Sequence, residues 1–200
     1  YAAQMGYPNI LSGVIEKNPS LVRIKLNKNQ ISGNLLATAV IGPKDKVNTP
    51  NNNFQFLDAF ERTVYLLLKK GFDINAQVKD KMTALHLASQ KGDCAITKIL
   101  LNSGASINIA DEDKRNALHY ASESWKGNRD VIKLLIEKGI DVNVQDGNGK
   151  TALQLACLNG DYEIAKKLLS SGASINIVDK DRMNALHYAS QSWKDNRDVI

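Results

Sequence analysis

Residues 103–132 read SGASINIADEDKRNALHYASESWKGNRDVI, and residues 171–200 read SGASINIVDKDRMNALHYASQSWKDNRDVI. Twenty-four of the thirty positions are identical at an offset of 68 residues. Between the copies lies a related but diverged unit, GKTALQLACLNGDYEIAKKLLS (149–170), so the shorter period is about half that offset. Self-similarity at such a period marks an array whose units bury their apolar sides against one another. The number of units then says more about organisation than chain length does.

Thr83, Asn116, Thr151 and Asn184 fix the register, each opening a short helix, with steps of 33, 35 and 33 residues. Each carries a side-chain oxygen suited to capping the first free amides, and Ala, the best helix former, follows all four. Leu85, Leu118, Leu153 and Leu186 begin an apolar stripe. Second helices continue it with Ile96/Ile99/Leu100/Leu101, Val131/Leu134/Leu135 and Ile164/Leu168/Leu169. Gly104, Gly139 and Gly172 allow the left-handed turn that closes each unit. The recurring pattern T-A-L-H-L-A, then Gly, then an apolar run ending in Leu-Leu, then G-A-x-I-N, resembles the ankyrin repeat, whose unit is a β-turn finger followed by two helices.

That resemblance implies an all-α fold, an α-solenoid of stacked ankyrin-type repeats forming one domain over residues 1–200. The expected units are a partial one at 1–31, one at 32–78 with an inserted loop at about 42–53, then 79–110, 111–145, 146–178 and a partial one at 179–200. Within the first two, Leu21–Ser32 reads as a short hairpin, Asn34–Ala39 as a short helix and Phe54–Lys70 as a second helix. Both ends begin or stop inside a unit, so the sequence is expected to be a window from a longer chain. Two departures from the family pattern stand out: Ala replaces the usual Pro after the capping residue, and Lys81, Lys114 and Arg182 replace the finger-tip Gly kept only at Gly149. Where a positive φ is required, each such replacement costs about 1 kcal/mol.

Composition narrows function. Apolar content of 43% with 24% charge is ordinary for a folded water-soluble chain, and no apolar run approaches the ~18 residues of a membrane span. Net charge is +5, from 26 basic and 21 acidic residues in short pairs rather than one block. Cys94 and Cys157 sit in different units, which does not indicate a disulfide framework, so a cytoplasmic protein is expected. No phosphate loop, nucleophile elbow or Cys-x-x-Cys is present, and each Asp or Glu recurs with the repeat rather than converging. The chain is expected to be non-enzymatic, with no cofactor and no small-molecule substrate.

His86, His119 and His187 share one register. Stacked helices stand about 8–10 Å apart, too far for equivalent imidazoles to share an ion, so these are expected to be structural hydrogen-bonding residues, with Gln154 in the same role and no metal. Asp111, Asp146 and Asp179 lie at the finger base and are expected to bond their own backbone. Asn75 and Asn143 lie in LLKKGFDIN and LIEKGIDVN, which look like the ankyrin segments that asparaginyl hydroxylases modify.

In the ankyrin family partners are gripped by finger tips and the inner face of the short helices. Carried over by position, the contact set is Lys79, Asp80, Met82, Gln90 and Lys91; Glu112, Asp113, Arg115, Glu123 and Ser124; Gly147, Asn148, Lys150, Leu158 and Asn159; and Lys180, Asp181, Met183, Gln191 and Ser192. Trp125 and Trp193 fall in a two-residue extension of the short-helix end and serve either as interface anchors or as covers folded back over their own helix pair. The expected function is a protein–protein interaction scaffold, monomeric, binding a partner protein on its concave side. The alternative is a targeting or positioning segment of a larger enzyme or host-directed microbial effector whose catalytic domain lies outside these residues. Nucleic-acid binding rests on the pI of 9.1 alone, and the mixed signs of the contact set disfavour it.

Overall fold

A helix of seven or eight residues does not hold its shape alone in water. The short helices of this chain are of that length, so their stability has to come from caps and from packing. The computed structural model describes residues 59–123 and 128–192. The readings on residues 1–58, and the placement of Ser124, Trp125 and Trp193, lie outside the described residues.

Among the described residues there are eight α-helices and no strand: α1 (Ala59–Lys69), α2 (Ala84–Lys91), α3 (Cys94–Asn102), α4 (Ala117–Glu123), α5 (Arg129–Glu137), α6 (Ala152–Leu158), α7 (Tyr162–Ser170) and α8 (Ala185–Gln191). The short helices α2, α4, α6 and α8 pack one against the next, and α1, α3, α5 and α7 form a second row. α2, α4 and α6 each also pack on the longer helix that follows. This is the paired-helix stack of an all-α solenoid.

The core runs between the two rows. Leu67, Leu85, Ile96, Leu100, Leu118, Ile132, Leu135, Leu153, Ile164 and Leu168 are all at most 3% exposed. Burying each such side chain contributes about 1.5–3 kcal/mol, which outweighs the weak helix-forming tendency of segments this short. Two residues of the expected stripe differ: Leu169 is 45% exposed on the outer side of α7, and Leu186 on α8 is 57% exposed.

The second helices begin and end on recognisable signals. Asp93 and Asp161 accept the Ile96 and Ile164 amides at 3.0 and 3.1 Å, capping α3 and α7. At the other end of α3 the Gly104 amide bonds the Leu101 carbonyl and the Ala105 amide bonds Leu100, with Gly104 at φ 94°, a left-handed closure that satisfies the last carbonyls. α5 departs from this scheme. Its N-cap residue, Asn128, makes no side-chain cap bond and instead donates 2.8 Å to the Ser89 carbonyl near the end of α2.

Candidate partner-binding surface

Each finger is a tight turn closed by two backbone bonds. In the finger at 146–150 the Gly149 amide bonds the Asp146 carbonyl at 2.9 Å and the Asp146 amide bonds the Lys150 carbonyl at 2.8 Å; the fingers beginning at Val78, Asp111 and Asp179 repeat the pattern. The base aspartates hold the turn, as expected. Asp146 Oδ1 accepts the Asn148 and Lys150 amides at 2.8 Å, Asp179 Oδ1 accepts those of Asp181 and Met183 at 2.9 Å, and Asp111 Oδ1 accepts that of Arg115 at 2.8 Å. Val78 has no carboxylate to offer, and the first finger takes a different form, a 3-10 turn at Lys79–Lys81.

The tip requires a positive φ. Gly149 sits at 83°, while Lys81, Lys114 and Arg182 sit at 59°, 59° and 60° and bear the strain anticipated from sequence; Asp80 in the first finger, at 59°, adds a second such residue. Neighbouring fingers are laced by one backbone bond per seam. The Glu112 amide bonds the Asp80 carbonyl at 3.0 Å, Gly147 bonds Asp113 at 2.6 Å, and Lys180 bonds Asn148 at 3.0 Å. Approach at the two later seams is close enough to demand glycine. A Cβ on Gly147 would lie 2.9 Å from the Asp113 carbonyl oxygen, and one on Gly149 would lie 3.0 Å from Asp179 Cα.

The shared register of the histidines is explained by a reciprocal cap. His86 Nδ1 accepts the Thr83 amide at 2.9 Å, and its Nε2 lies 3.0 Å from the Ile109 carbonyl in the next unit. A carbonyl accepts only, so Nε2 carries the proton and the ring is neutral. His119 makes the same pair, with the Asn116 amide at 3.2 Å and the Lys150 carbonyl at 3.2 Å. Gln154 does this work without a ring, its Oε1 accepting the Thr151 amide at 2.6 Å and its Nε2 donating to the Ile177 and Met183 carbonyls at 3.1 and 2.7 Å. Burial pushes the pKa of both His86 and His119 below the ordinary histidine value. These side chains tie unit to unit, and their nitrogens are committed.

A second tie joins helix to finger in alternate units. The Tyr120 hydroxyl donates to Asp111 Oδ2, and that of Tyr188 to Asp179 Oδ2, both at 2.5 Å. Burial, then the carboxylate bond, raises both phenol pKa values. Burial pushes the Asp179 carboxyl upward, but the Tyr188 hydroxyl and the Met183 and Asp181 amides outweigh it and hold it below the usual carboxylate range.

The residues expected to contact a partner divide into two groups. Lys79, Asp80, Glu112, Asp113, Asn148, Lys180 and Asp181 are exposed at the tips, and Gln90, Lys91, Glu123, Leu158 and Gln191 are exposed on the short helices. The others are engaged inside the array. The Arg115 guanidinium lies 4.6 Å from the Tyr120 ring centroid and pairs with Glu123 at 2.5 Å, and Lys150 Nζ lies 5.0 Å from the Tyr188 ring. Asn159 donates 2.9 Å to the Glu123 carbonyl, Met183 packs on the core, and Met82, Gly147 and Ser192 are half-buried. Reading them as solvent-facing missed these bonds, because the aromatic partner of Arg115 and Lys150 appears only in every second unit. Lys81, Lys114 and Arg182, read from sequence only as a conformational penalty, are exposed on the same edge as the tip contacts.

Cys94 and Cys157 are both free thiols, and burial pushes that of Cys157 up to about 11. Among the described residues no helix is long and apolar enough to cross a membrane.

A family model described as ankyrin repeats (3 copies) matches residues 57–146, and one described as ankyrin repeats (many copies) matches residues 124–169. No curated protein matches the chain. Repeats of this family are in general protein–protein interaction modules and are typically non-catalytic. The two matches together run from residue 57 to 169, more than half the chain, over the same finger-and-helix-pair units that the geometry displays, and the protein belongs to the ankyrin-repeat family.

Proposed function

We propose that the chain is a non-enzymatic scaffold, acting in the cytoplasm as a monomer, that grips one partner protein along its finger tips and the inner ends of its short helices. One observation carries the reading: the capping His and Gln and the finger-base Asp side chains are committed within and between units, whereas the finger tips and the ends of the short helices keep exposed side chains. Lys79, Asp113, Leu158 and Gln191 are among them. A margin of mixed charge with an exposed Leu158 suits a protein surface. The test is affinity capture with the whole chain against a variant carrying Lys79→Ala, Asp113→Ala, Leu158→Ser and Gln191→Ala. None of these side chains makes a hydrogen bond or ion pair among the described residues, so the helical signal and melting curve should be unchanged while captured partners are lost. A folded variant that keeps every partner sinks the reading.

A further inference from the structure

Lys81, Lys114 and Arg182 occupy the finger position where the backbone favours glycine in every described finger. The chain uses glycine there once, at Gly149, so the relaxed choice is visible at the same register. At the other three fingers a long cation stands in its place, exposed and without an ion pair among the described residues. Strain held at a solvent-facing side chain that stabilises nothing internally points to an external role.

We propose that Lys81, Lys114 and Arg182 form a basic row that recognises an extended acidic segment of a partner protein laid across the fingers. Neighbouring units stand about 10 Å apart, so the cations fall at intervals of about 10 and 20 Å. An extended peptide in the polyproline-II form rises about 3.1 Å per residue with three residues per turn, so carboxylates three and then six residues apart fall on one face and meet all three. Asp80, Asp113 and Asp181 each directly precede a cation. A nucleic-acid strand, with a charge about every 3.4 Å, would set phosphates against those carboxylates, whereas a peptide is free to place neutral residues there.

The inference rests on the scaffold reading but is tested apart from it. Labelled poly-L-glutamate is titrated with the whole chain at low salt, and single-stranded DNA of equal length serves as the rival probe. The key variant combines Lys81→Gly, Lys114→Gly and Arg182→Gly, which removes the charges while relaxing the backbone. A control, Lys98→Gln, Lys133→Gln and Lys166→Gln, makes the same change in net charge, from +5 to +2, on the outer helices. The glycine variant should bind polyglutamate about ten-fold more weakly and yet melt at a higher temperature, with the control losing less than three-fold. Equal loss in control and variant, undiminished binding by the glycine variant, no binding by the wild type, or tighter binding of DNA than of polyglutamate each overturns the acidic-segment assignment. The scaffold reading falls only if the four-residue margin variant keeps its partners.

Discussion

At the scale of the residue, the neutral imidazoles of His86 and His119 make the array sensitive to acid. An unfolded histidine titrates near pH 6.5, and burial places the folded values lower. Between those values the unfolded chain binds more protons than the folded one, so the stability these rings contribute is complete above about pH 7 and is lost as pH falls below about 6.5. Protonation would also put a hydrogen on each Nδ1, against the amide it accepts. Gln154 supplies the control within the chain itself. The double variant His86→Gln, His119→Gln is expected to stay within about 1 kcal/mol of wild type at pH 7.5 and to show a flatter denaturation midpoint between pH 7 and 5. An equally steep slope would place the acid sensitivity elsewhere. A second loss, from Asp179, follows at lower pH. Its depressed pKa contributes stability above about pH 4 that disappears as pH falls through the folded value. Tyr188→Phe removes the leading hydrogen bond to this carboxylate. It should move the Asp179 titration upward by NMR and destabilise the fold by about 1–2 kcal/mol at neutral pH.

At the scale of the element, the links between units decide how stiff the stack is. Asn128 is 4% exposed, bonds Ser89 across the seam and fits against a glycine: a Cβ on Gly92 would lie 1.9 Å from Asn128 Oδ1. Asn128→Ala should therefore cost about 1 kcal/mol, because it removes one buried bond to the Ser89 carbonyl, which keeps the Gly92 amide at 3.2 Å, and hydrogen exchange should quicken at the end of α2 before it does elsewhere. The sequence made the helices legible because their signals are local and periodic: a capping Thr or Asn, a buried Leu two residues on, a Gly at the close. It made the strained tips legible for the same reason, since Lys81, Lys114 and Arg182 break a pattern that Gly149 keeps. Links between units were harder to see. The bond from Asn128 to a carbonyl 39 residues earlier has no local signal in the sequence. Tyr120 and Leu87 share a register, yet only the tyrosine has a hydroxyl to reach its finger's aspartate. Of the partner-facing residues, the exposed tips were legible, whereas Arg115, Lys150 and Asn159 satisfy neighbours that periodicity does not reveal.

At the scale of the whole molecule, each unit touches only the units on either side, so stability is a sum of unit and interface contributions. Leu135 is fully buried in α5, midway along the described array. Leu135→Ala should remove about 2–5 kcal/mol and, by weakening the middle of the stack, broaden or split the denaturant transition rather than merely shift it. A single sharp transition at lower denaturant would mean that the array unfolds as one block. The finger tips impose something further, a limit on how the chain can change length. The finger at 146–150 is bare on both edges, Gly147 facing the Asp113 carbonyl and Gly149 facing Asp179 and Lys180, whereas the first seam closes with side chains on both sides, Asp80 against Glu112. Excising residues 146–178 would remove both glycines and set Asp113 against Lys180. That shortened array is expected to exchange amide hydrogens faster at the new seam than the intact chain does at either seam it replaces, because the bare-edged unit is a spacer to which its two neighbours are fitted and not one interchangeable copy among several.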